Sequence, residues 1–426
     1  MIAITVISFF VACLIGVPIA FSLGLAAVAG LLYADWNLVQ VAGKMMNSID
    51  SFPLMAIPLF VLSGELMIRG NVMAPLIDMA NAIVGRVRGG LAIVAVLATM
   101  VLSSLSGVAI ADATAIGGTL GKSLEKAYGK SFSASLVAVA SCMGPIIPPS
   151  AGLILYAIMV GKISVAALFL GGVIPGVMIG CLLILYSIWV ARRRGYPYTG
   201  VAFTFRGLFV AFRKAAIFLG MPILVIGGII FGAYTATEGA AIAVLYSALL
   251  GIFVTRKLKL TDIFGALVHA GTISAIVGAL IAFSSVVTHI FTINHVGSSV
   301  ASLLAQASVG PTSLILLVCL ILLILGMFIE SNSLIIMTAP ILAPVALSMG
   351  VDPIHFGVIF VFSIVIGILT PPVGIMLFVV SGIWNVDVKS LMKEVLPMLG
   401  IMFIILFLCI LFPQLITFLP NLFLGK

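Results

Sequence analysis

Long apolar runs separated by short polar gaps recur from one end of this chain to the other. A helix needs roughly 20 apolar residues to cross the hydrocarbon of a bilayer. On that measure the pattern predicts helical spans near 2–32, 53–69, 72–85, 131–160, 165–190, 215–235, 239–255, 262–292, 356–384 and 395–420. Two further apolar stretches cover 91–121 and 312–347. The run at 2–32 is too long and too early for a secretory signal and lacks a basic start, so it reads as a retained span. The predicted fold class is an all-α polytopic membrane protein.

Composition narrows the class further. Hydrophobic residues make up 63% of the 426 and charged residues only 8%, against about 25% charged in an average soluble domain. A soluble protein with one anchor is therefore excluded, and the lipid bilayer is the expected surrounding. The formal net charge of +8 comes from Lys and Arg scattered over short loops, which is a topology signal and speaks against nucleic acid as a partner. Basic residues cluster at Arg86/Arg88, Lys122/Lys126/Lys130, Arg192–Arg194, Arg206/Arg213/Lys214, Arg256/Lys257/Lys259 and Lys389/Lys393, with Lys44 alone. An outside N-terminus places all of these in the cytoplasm and leaves only Arg69, Lys162 and Lys426 facing out, as the positive-inside rule favours. The cysteines all lie within apolar stretches, without disulfide or metal-ligand spacing.

The basic flanks also decide how 91–121 is threaded. Arg86 and Arg88 precede it and Lys122, Lys126 and Lys130 follow it, so both of its ends belong on the cytoplasmic side. A stretch of that length cannot cross a bilayer twice as helix. It is expected to form a re-entrant hairpin whose tip is Leu102-Ser103-Ser104-Leu105-Ser106-Gly107. The stretch 312–347 is interrupted at Gly326–Ser333 and has no basic flank, which suits a hairpin opening to the outside.

Within 131–160 the chain reads Gly144-Pro145-Ile146-Ile147-Pro148-Pro149-Ser150. Its prolines remove backbone donors and fix φ, so no regular helix passes through. A second such break, Gly367-Ile368-Leu369-Thr370-Pro371-Pro372-Val373-Gly374, interrupts 356–384. Sliding the chain on itself by about 220 residues aligns these two breaks, aligns Gly107 with Gly326, and aligns Tyr128-Gly129 with Met349-Gly350. The expected organisation is two repeats, 1–190 and 215–426, joined by a cytoplasmic linker at 191–214. On the topology above the two repeats are inverted.

Non-helical backbone at membrane depth is tolerated only where it is buried in protein or lines a polar cavity. Breaks free carbonyls that can ligate a hard cation, and they create helix N-termini that favour anions. Ser103, Ser104, Ser106, Ser150, Ser331, Asn332, Ser333 and Thr370 add neutral oxygens at these places, which suits a monovalent ion better than a carboxylate cage would. Asp112 and Glu330 are the acids within the hairpins, candidates to bind a cation or to fasten a tip. Glu65 and Glu238 are expected near interfaces as ordinary loop or contact charges. The histidines lack any metal-binding spacing, and His355 is expected to organise a helix entrance.

At these same residues the chain resembles the large membrane (DctM-type) subunit of tripartite ATP-independent periplasmic (TRAP) transporters, in the ion transporter superfamily. The likeness rests on Ser106-Gly107 with Ala111-Asp112-Ala113-Thr114-Ala115-Ile116-Gly117, on Gly144–Ser150, on Asp352-Pro353-Ile354-His355-Phe356-Gly357 and on Ile366–Gly374. It extends over essentially the full length. One departure is Val108, where many members carry a small or hydroxylated residue. The resemblance implies a subunit of the bacterial inner membrane with a periplasmic N-terminus, paired with a small four-helix membrane subunit. Substrate, an organic acid such as a C4-dicarboxylate or a sialic acid, would arrive from a periplasmic binding protein. Transport would be coupled to Na⁺, with no other cofactor, and of the elevator type.

By the same resemblance a first Na⁺ site involves Ser103, Ser106, Gly107, Gly144, Pro145 and Pro148. A second involves Gly326, Ser331, Asn332, Thr370, Pro371 and Gly374. Substrate contacts fall to Ser104, Ser150, Ser333 and Thr370. The alternative is a stand-alone Na⁺- or H⁺-coupled dicarboxylate or citrate carrier that needs no binding protein. An intramembrane hydrolase lacks a convincing Ser–His or paired-Asp arrangement, and no catalytic residue is assigned.

Overall fold

In a computed structural model of the chain, the described residues are 1–34, 39–161, 163–199, 203–296, 299, 302 and 310–425. Lys162 and Lys426, both expected to face out, lie outside them, as do residues 200–202 of the linker. Among the described residues the regular structure is helix apart from one two-residue ladder, and seven of the helices are long and apolar enough to cross a membrane. It is a multi-pass membrane protein.

One group of helices forms a frame. It comprises α1 (Ile2–Leu14), α2 (Ile19–Tyr33), α3 (Val39–Ile49) and α4 (Ala56–Arg69) from the first half. Between α3 and α4 lies one 3₁₀ turn at Phe52–Met55. α5 (Met73–Val84) follows. The second half contributes α11 (Phe205–Ile230), α12 (Ala236–Leu249) and α13 (Leu260–Ile293). α4 packs on α12 and α13, and α13 also takes α2 and α3 along its flank. α12 is started by a reciprocal cap between Thr235 and Glu238. The expected interfacial role of Glu238 is thus a helix cap.

The run 2–32 is two helices, which corrects the single span expected there. Gly16 adopts φ +92° and Pro18 has no backbone donor to offer, so α1 ends and α2 starts in the opposite direction. The Thr5 side chain fills the space above Gly30, where a Cβ would meet its Oγ1. Both outer ends of this pair lie at one end of the frame, where Asn294 Nδ2 contacts Met1 Sδ at 3.6 Å.

Two cations change sides as a result. Lys44 acts electrostatically on His289, near the far end of α13, so it does not share the face of Lys257 and Lys259 as expected. α4 runs the other way from the expectation. Arg69 abuts Gly265 in the second turn of α13, and Gly70 abuts Gly251, which brings Arg69 onto the basic face. The stretch 72–85 does not span either. α5 has 12 residues, about 18 Å of helix against about 30 Å of hydrocarbon. It begins next to Gly251 and ends at Gly85 against Phe203, so it runs along the basic face.

The remaining helices form a block: α6 (Gly90–Ser106), α7 (Ala109–Tyr128), α8 (Lys130–Ser141), α9 (Ala151–Val160), α10 (Val165–Arg193), α14 (Pro311–Gly326), α15 (Ser331–Ser348), α16 (Pro353–Gly367), α17 (Ile375–Trp384), α18 (Val388–Leu411) and α19 (Gln414–Leu424). The expected span 395–420 is likewise two helices. Phe412 leaves helical backbone (ψ 81°) ahead of Pro413, and α19 packs on α10 with Ile416 over Gly171.

α6 and α7 form a hairpin whose ends meet, because Leu91 N donates to Tyr128 Oη at 3.1 Å. α14 and α15 form the other. The last turns of α15, at Pro340 and Pro344, face Thr288 and Thr292 at the far end of α13. The two hairpins therefore open toward opposite ends of the molecule. His355, in the first turn of α16, contacts the Cys409 carbonyl at 2.8 Å through Nε2 and ties α16 to α18. The ladder pairs β1 (Val87–Arg88) with β2 (Tyr198–Thr199), so the start of the linker is fastened to the segment entering α6.

Candidate functional site

The tip of the first hairpin is a turn made possible by Gly107, which sits at φ +65° between α6 and α7. Asp112, in the first turn of α7, is completely buried. Its carboxylate accepts from Ser103 Oγ at 2.8 Å and from Ser106 Oγ. Ser106 Oγ in turn accepts from Val108 N at 3.2 Å. A carboxylate near a helix N-terminus is favoured by the helix dipole, and here it also collects the hydroxyls of the preceding helix end. Asp112 thus bonds both buried serines of the tip.

The first break is held by its own polar groups. Gly144 N donates to Ser141 O at 3.0 Å and Ile147 N to Met143 O at 2.7 Å. Ser150 Oγ donates to Pro145 O and caps α9 by accepting from Leu153 N at 3.2 Å. The Pro148–Pro149 peptide is cis. Tip and break lie in direct contact. A Cβ on Gly107 would sit 2.7 Å from Pro149 O, and one on Gly144 would sit 2.8 Å from Asp112 Oδ2. Ser103, Ser106, Gly107, Gly144, Pro145 and Pro148 are therefore gathered in one buried cluster.

The second half repeats the contact with different atoms. A Cβ on Gly326 would lie 3.0 Å from Gly367 Cα, and Gly374 N donates to Met327 O at 3.2 Å. Gly374 adopts φ +58°, and the Pro371–Pro372 peptide is cis. Glu330 caps α15, accepting from Asn332 N at 2.9 Å, Ser333 N at 3.1 Å and Ser331 Oγ at 2.9 Å. Unlike Asp112 it is only half-buried. Gly326, Gly374 and the Thr370 carbonyl lie at this second junction, whereas Ser331 lines a small gap beside it and Asn332 lines a larger cavity. The two tips also approach each other: Val108 and Ile110 line a small gap together with Glu330 and Ser331.

A cavity of about 840 Å³ extends from these tips between α4, α7 and α13. That is ample for a small organic molecule. Its lining includes Val108, Ala151, Glu330, Asn332 and Ser333. Of the residues expected to touch substrate, only Ser333 lines it. Ser104 Oγ donates to Val101 O at 2.7 Å, Thr370 Oγ1 donates to Ile366 O at 2.8 Å, and Ser150 is fully buried as a cap. These three hydroxyls satisfy local backbone carbonyls and are not among the cavity walls, which is where the structure departs from their expected placement.

Sequence reasoning missed the cavity's charged wall. Glu65, Arg69 and His269 all line it. Glu65 pairs with Arg69 Nε at 3.2 Å and with His269 Nδ1 at 3.0 Å. This corrects the reading of Glu65 as a loop charge and of Arg69 as an outward cation. The i,i+4 spacing of Glu65 and Arg69 inside an apolar run was a legible sign. The approach of His269 from α13 was not. Ser141 was missed too: its buried hydroxyl has no partner among the described residues. All five cysteines are free thiols, and the described residues hold no group of three or more His, Cys, Asp or Glu arranged for a metal.

Comparison with known proteins gives one family. The family model described as "Tripartite ATP-independent periplasmic transporter, DctM component" matches residues 6–415. The isethionate TRAP transporter permease protein DctMQ of Oleidesulfovibrio alaskensis is 37% identical over 92% of this chain, which spans 62% of that protein's length. The sialic acid TRAP transporter large permease protein SiaM of Vibrio cholerae is 37% identical over 96% of both chains. Among solved structures, the YdaH transporter of Alcanivorax borkumensis superposes with a TM-score of 0.63 at 14% identity, over 96% of this chain and 98% of that one. At that identity it speaks for the fold alone. These relatives are transporter permeases and not enzymes.

Proposed function

This chain belongs to the DctM component family of tripartite ATP-independent periplasmic transporters, and from that premise we propose that it is the large permease for Na⁺-coupled uptake of an organic acid across the bacterial inner membrane. The observation that carries this reading is that both hairpin tips, through Val108 and Ile110 of the first and Glu330, Asn332 and Ser333 of the second, line one large cavity while each tip packs on its own break. The relatives named for isethionate and sialic acid handle organic anions, and a C4-dicarboxylate belongs to the same chemical class.

In this reading 1–190 and 215–426 are inverted repeats around the 191–214 linker. The oppositely opening hairpins, each against its own Pro-Pro break, support that arrangement. Na⁺ occupies the two tip–break junctions, near Ser103 and Ser106 in one half and near Thr370 and Asn332 in the other. Substrate occupies the cavity at Ser333 and Asn332. The block of hairpins and broken helices moves against the frame as an elevator. A small four-helix membrane subunit and a periplasmic binding protein complete the transporter. The N-terminus is periplasmic, at the end of the molecule opposite Lys257 and Lys259. Each net positive charge carried inward gains about 2.3 kcal/mol per 100 mV, so two Na⁺ with a monoanion gain from the membrane potential as well as from the Na⁺ gradient.

The test is uptake by the complete transporter in proteoliposomes. Replacing Na⁺ by K⁺ is expected to reduce uptake to background, and omitting the binding protein is expected to do the same. Uptake that survives on a proton gradient alone overturns Na⁺ coupling; uptake without the binding protein makes this a stand-alone carrier.

Arg69 has a defined part in this scheme. Its guanidinium is held by Glu65 at the cavity wall, toward the basic face, where a departing anion passes. A hydrogen bond to a charged group is worth about 1.5–3 kcal/mol, so Arg69→Gln is expected to raise the KM for uptake about tenfold. Arg69→Lys should recover part of the loss. Initial rates against substrate concentration measure this, and an unchanged KM in the glutamine variant removes Arg69 from the path.

A further inference from the structure

Away from the transport cavity, a second pocket of about 370 Å³ opens on the basic face, where the segment entering α6, the end of α10 and the linker strand meet. Three arginines line it: Arg86, Arg88 and Arg192. No carboxylate lines it, and none of the three has an ion-pair partner among the described residues. Two other arginines of this face, Arg69 and Arg194, are each paired with a glutamate. Cations brought together without counter-charge repel one another, and an anion bound among them relieves that repulsion.

The walls between the arginines are apolar, formed by Ile93 and Ile188. Large apolar side chains nearby, Ile83 and Leu185, are exposed. Trp189 lies one turn before Arg193, whose guanidinium sits 5.2 Å from its ring, and Arg88 sits 5.0 Å from the Tyr198 ring. Aromatic residues with arginine partners mark the level of the membrane–water interface. The pocket therefore presents a fixed positive cluster at headgroup height beside a surface suited to acyl chains. Basic pockets of this kind on the cytoplasmic side bind anionic lipid headgroups, and arginine forks match the planar oxygens of a phosphate.

We propose that this pocket is a binding site for the phosphodiester headgroup of an anionic phospholipid of the inner leaflet. The lipid bridges three separate stretches of chain: the strand before the first hairpin, the last turn of α10 and the linker. It thereby holds together the place where the block joins the frame.

The test uses the full chain in neutral detergent, with thermal stability and co-purifying lipid as readouts. Mixed micelles containing phosphatidylglycerol are expected to stabilise the wild-type protein, while phosphatidylcholine micelles and inorganic phosphate are not. The R86Q/R88Q/R192Q variant is expected to bind phosphatidylglycerol roughly tenfold to hundredfold more weakly, on the order expected for losing three interfacial cations. A control variant, R206Q/R213Q/K214Q, removes as many charges from the same face and should bind as the wild type does. If the triple variant fails to fold, Arg192→Gln alone is read, with a several-fold weakening expected. Equal binding by the R86Q/R88Q/R192Q variant, equal loss in the control, or stabilisation by inorganic phosphate as strong as that by the lipid overturns the proposal.

Discussion

Asp112→Ala is expected to reduce Na⁺-dependent uptake by about thirtyfold or more while leaving the protein in the membrane. The carboxylate accepts from two buried serine hydroxyls, Ser103 and Ser106, and Ser106 also receives the Val108 amide. Alanine removes the acceptor without admitting water. Each buried polar group left without a partner costs about 1–3 kcal/mol. That cost falls on the tip as it stands packed on the first break, with Gly107 against Pro149, so the closed tip loses population to open ones. Asp112→Asn keeps one acceptor oxygen and is expected to be intermediate. Uptake of labelled substrate at saturating and at limiting Na⁺ is the measurement. Wild-type uptake by the alanine variant would falsify the fastening role.

Gly326→Leu is the second large effect. At this position the second hairpin crosses the end of α16 with backbone against backbone: a Cβ would lie 3.0 Å from Gly367 Cα and 3.1 Å from Ile364 O. Backbone atoms cannot swing aside as a side chain can, so α14 and α16 must separate. Overpacking of this kind costs about 1–3 kcal/mol even where neighbours can adjust. Separation also breaks the contact from Gly374 N to Met327 O, which holds the second break to its tip. Uptake is expected to fall at least about tenfold, with a lower melting temperature. Gly367→Leu should behave alike, because its Cβ would meet Gly326 Cα at 2.9 Å. Gly382→Ala, which meets nothing within 4 Å, should change neither quantity. A Gly326→Leu variant with normal uptake would show that the hairpin is free of α16 during transport.

What could be read from the sequence was local and physical. Prolines that cannot donate marked both breaks, and basic residues on both sides of 91–121 marked a hairpin whose ends meet at Leu91 and Tyr128. Gly107 and Gly326 were legible as matching landmarks of the two hairpin tips, though not as close approaches. The errors share a cause. The run 2–32 doubles back at Gly16 and Pro18, and the return is seated by Thr5 meeting Gly30, a contact that no periodicity encodes. The direction of α4 was inferred by counting crossings, so one miscounted span reversed it and carried Arg69 to the wrong face. The substrate hydroxyls failed differently. Ser104, Ser150 and Thr370 belong to a residue type that serves equally as ligand or as backbone partner, and here the nearest carbonyl won.

The ladder between Val87–Arg88 and Tyr198–Thr199 bears on how force would pass through the molecule. Leu91 N donates to Thr199 Oγ1 at 2.8 Å, Tyr128 Oη bonds the same hydroxyl at 3.0 Å, and Tyr196 Oη donates to Tyr128 O at 3.2 Å. Two strands of chain leave the block on the basic face, and this knot ties them together before either reaches the frame. They are thus one tether and not two independent straps. In the proposed movement the tether pivots at Gly85 and Gly89, both of which already hold positive φ, so frame and block share a single joint on the basic face.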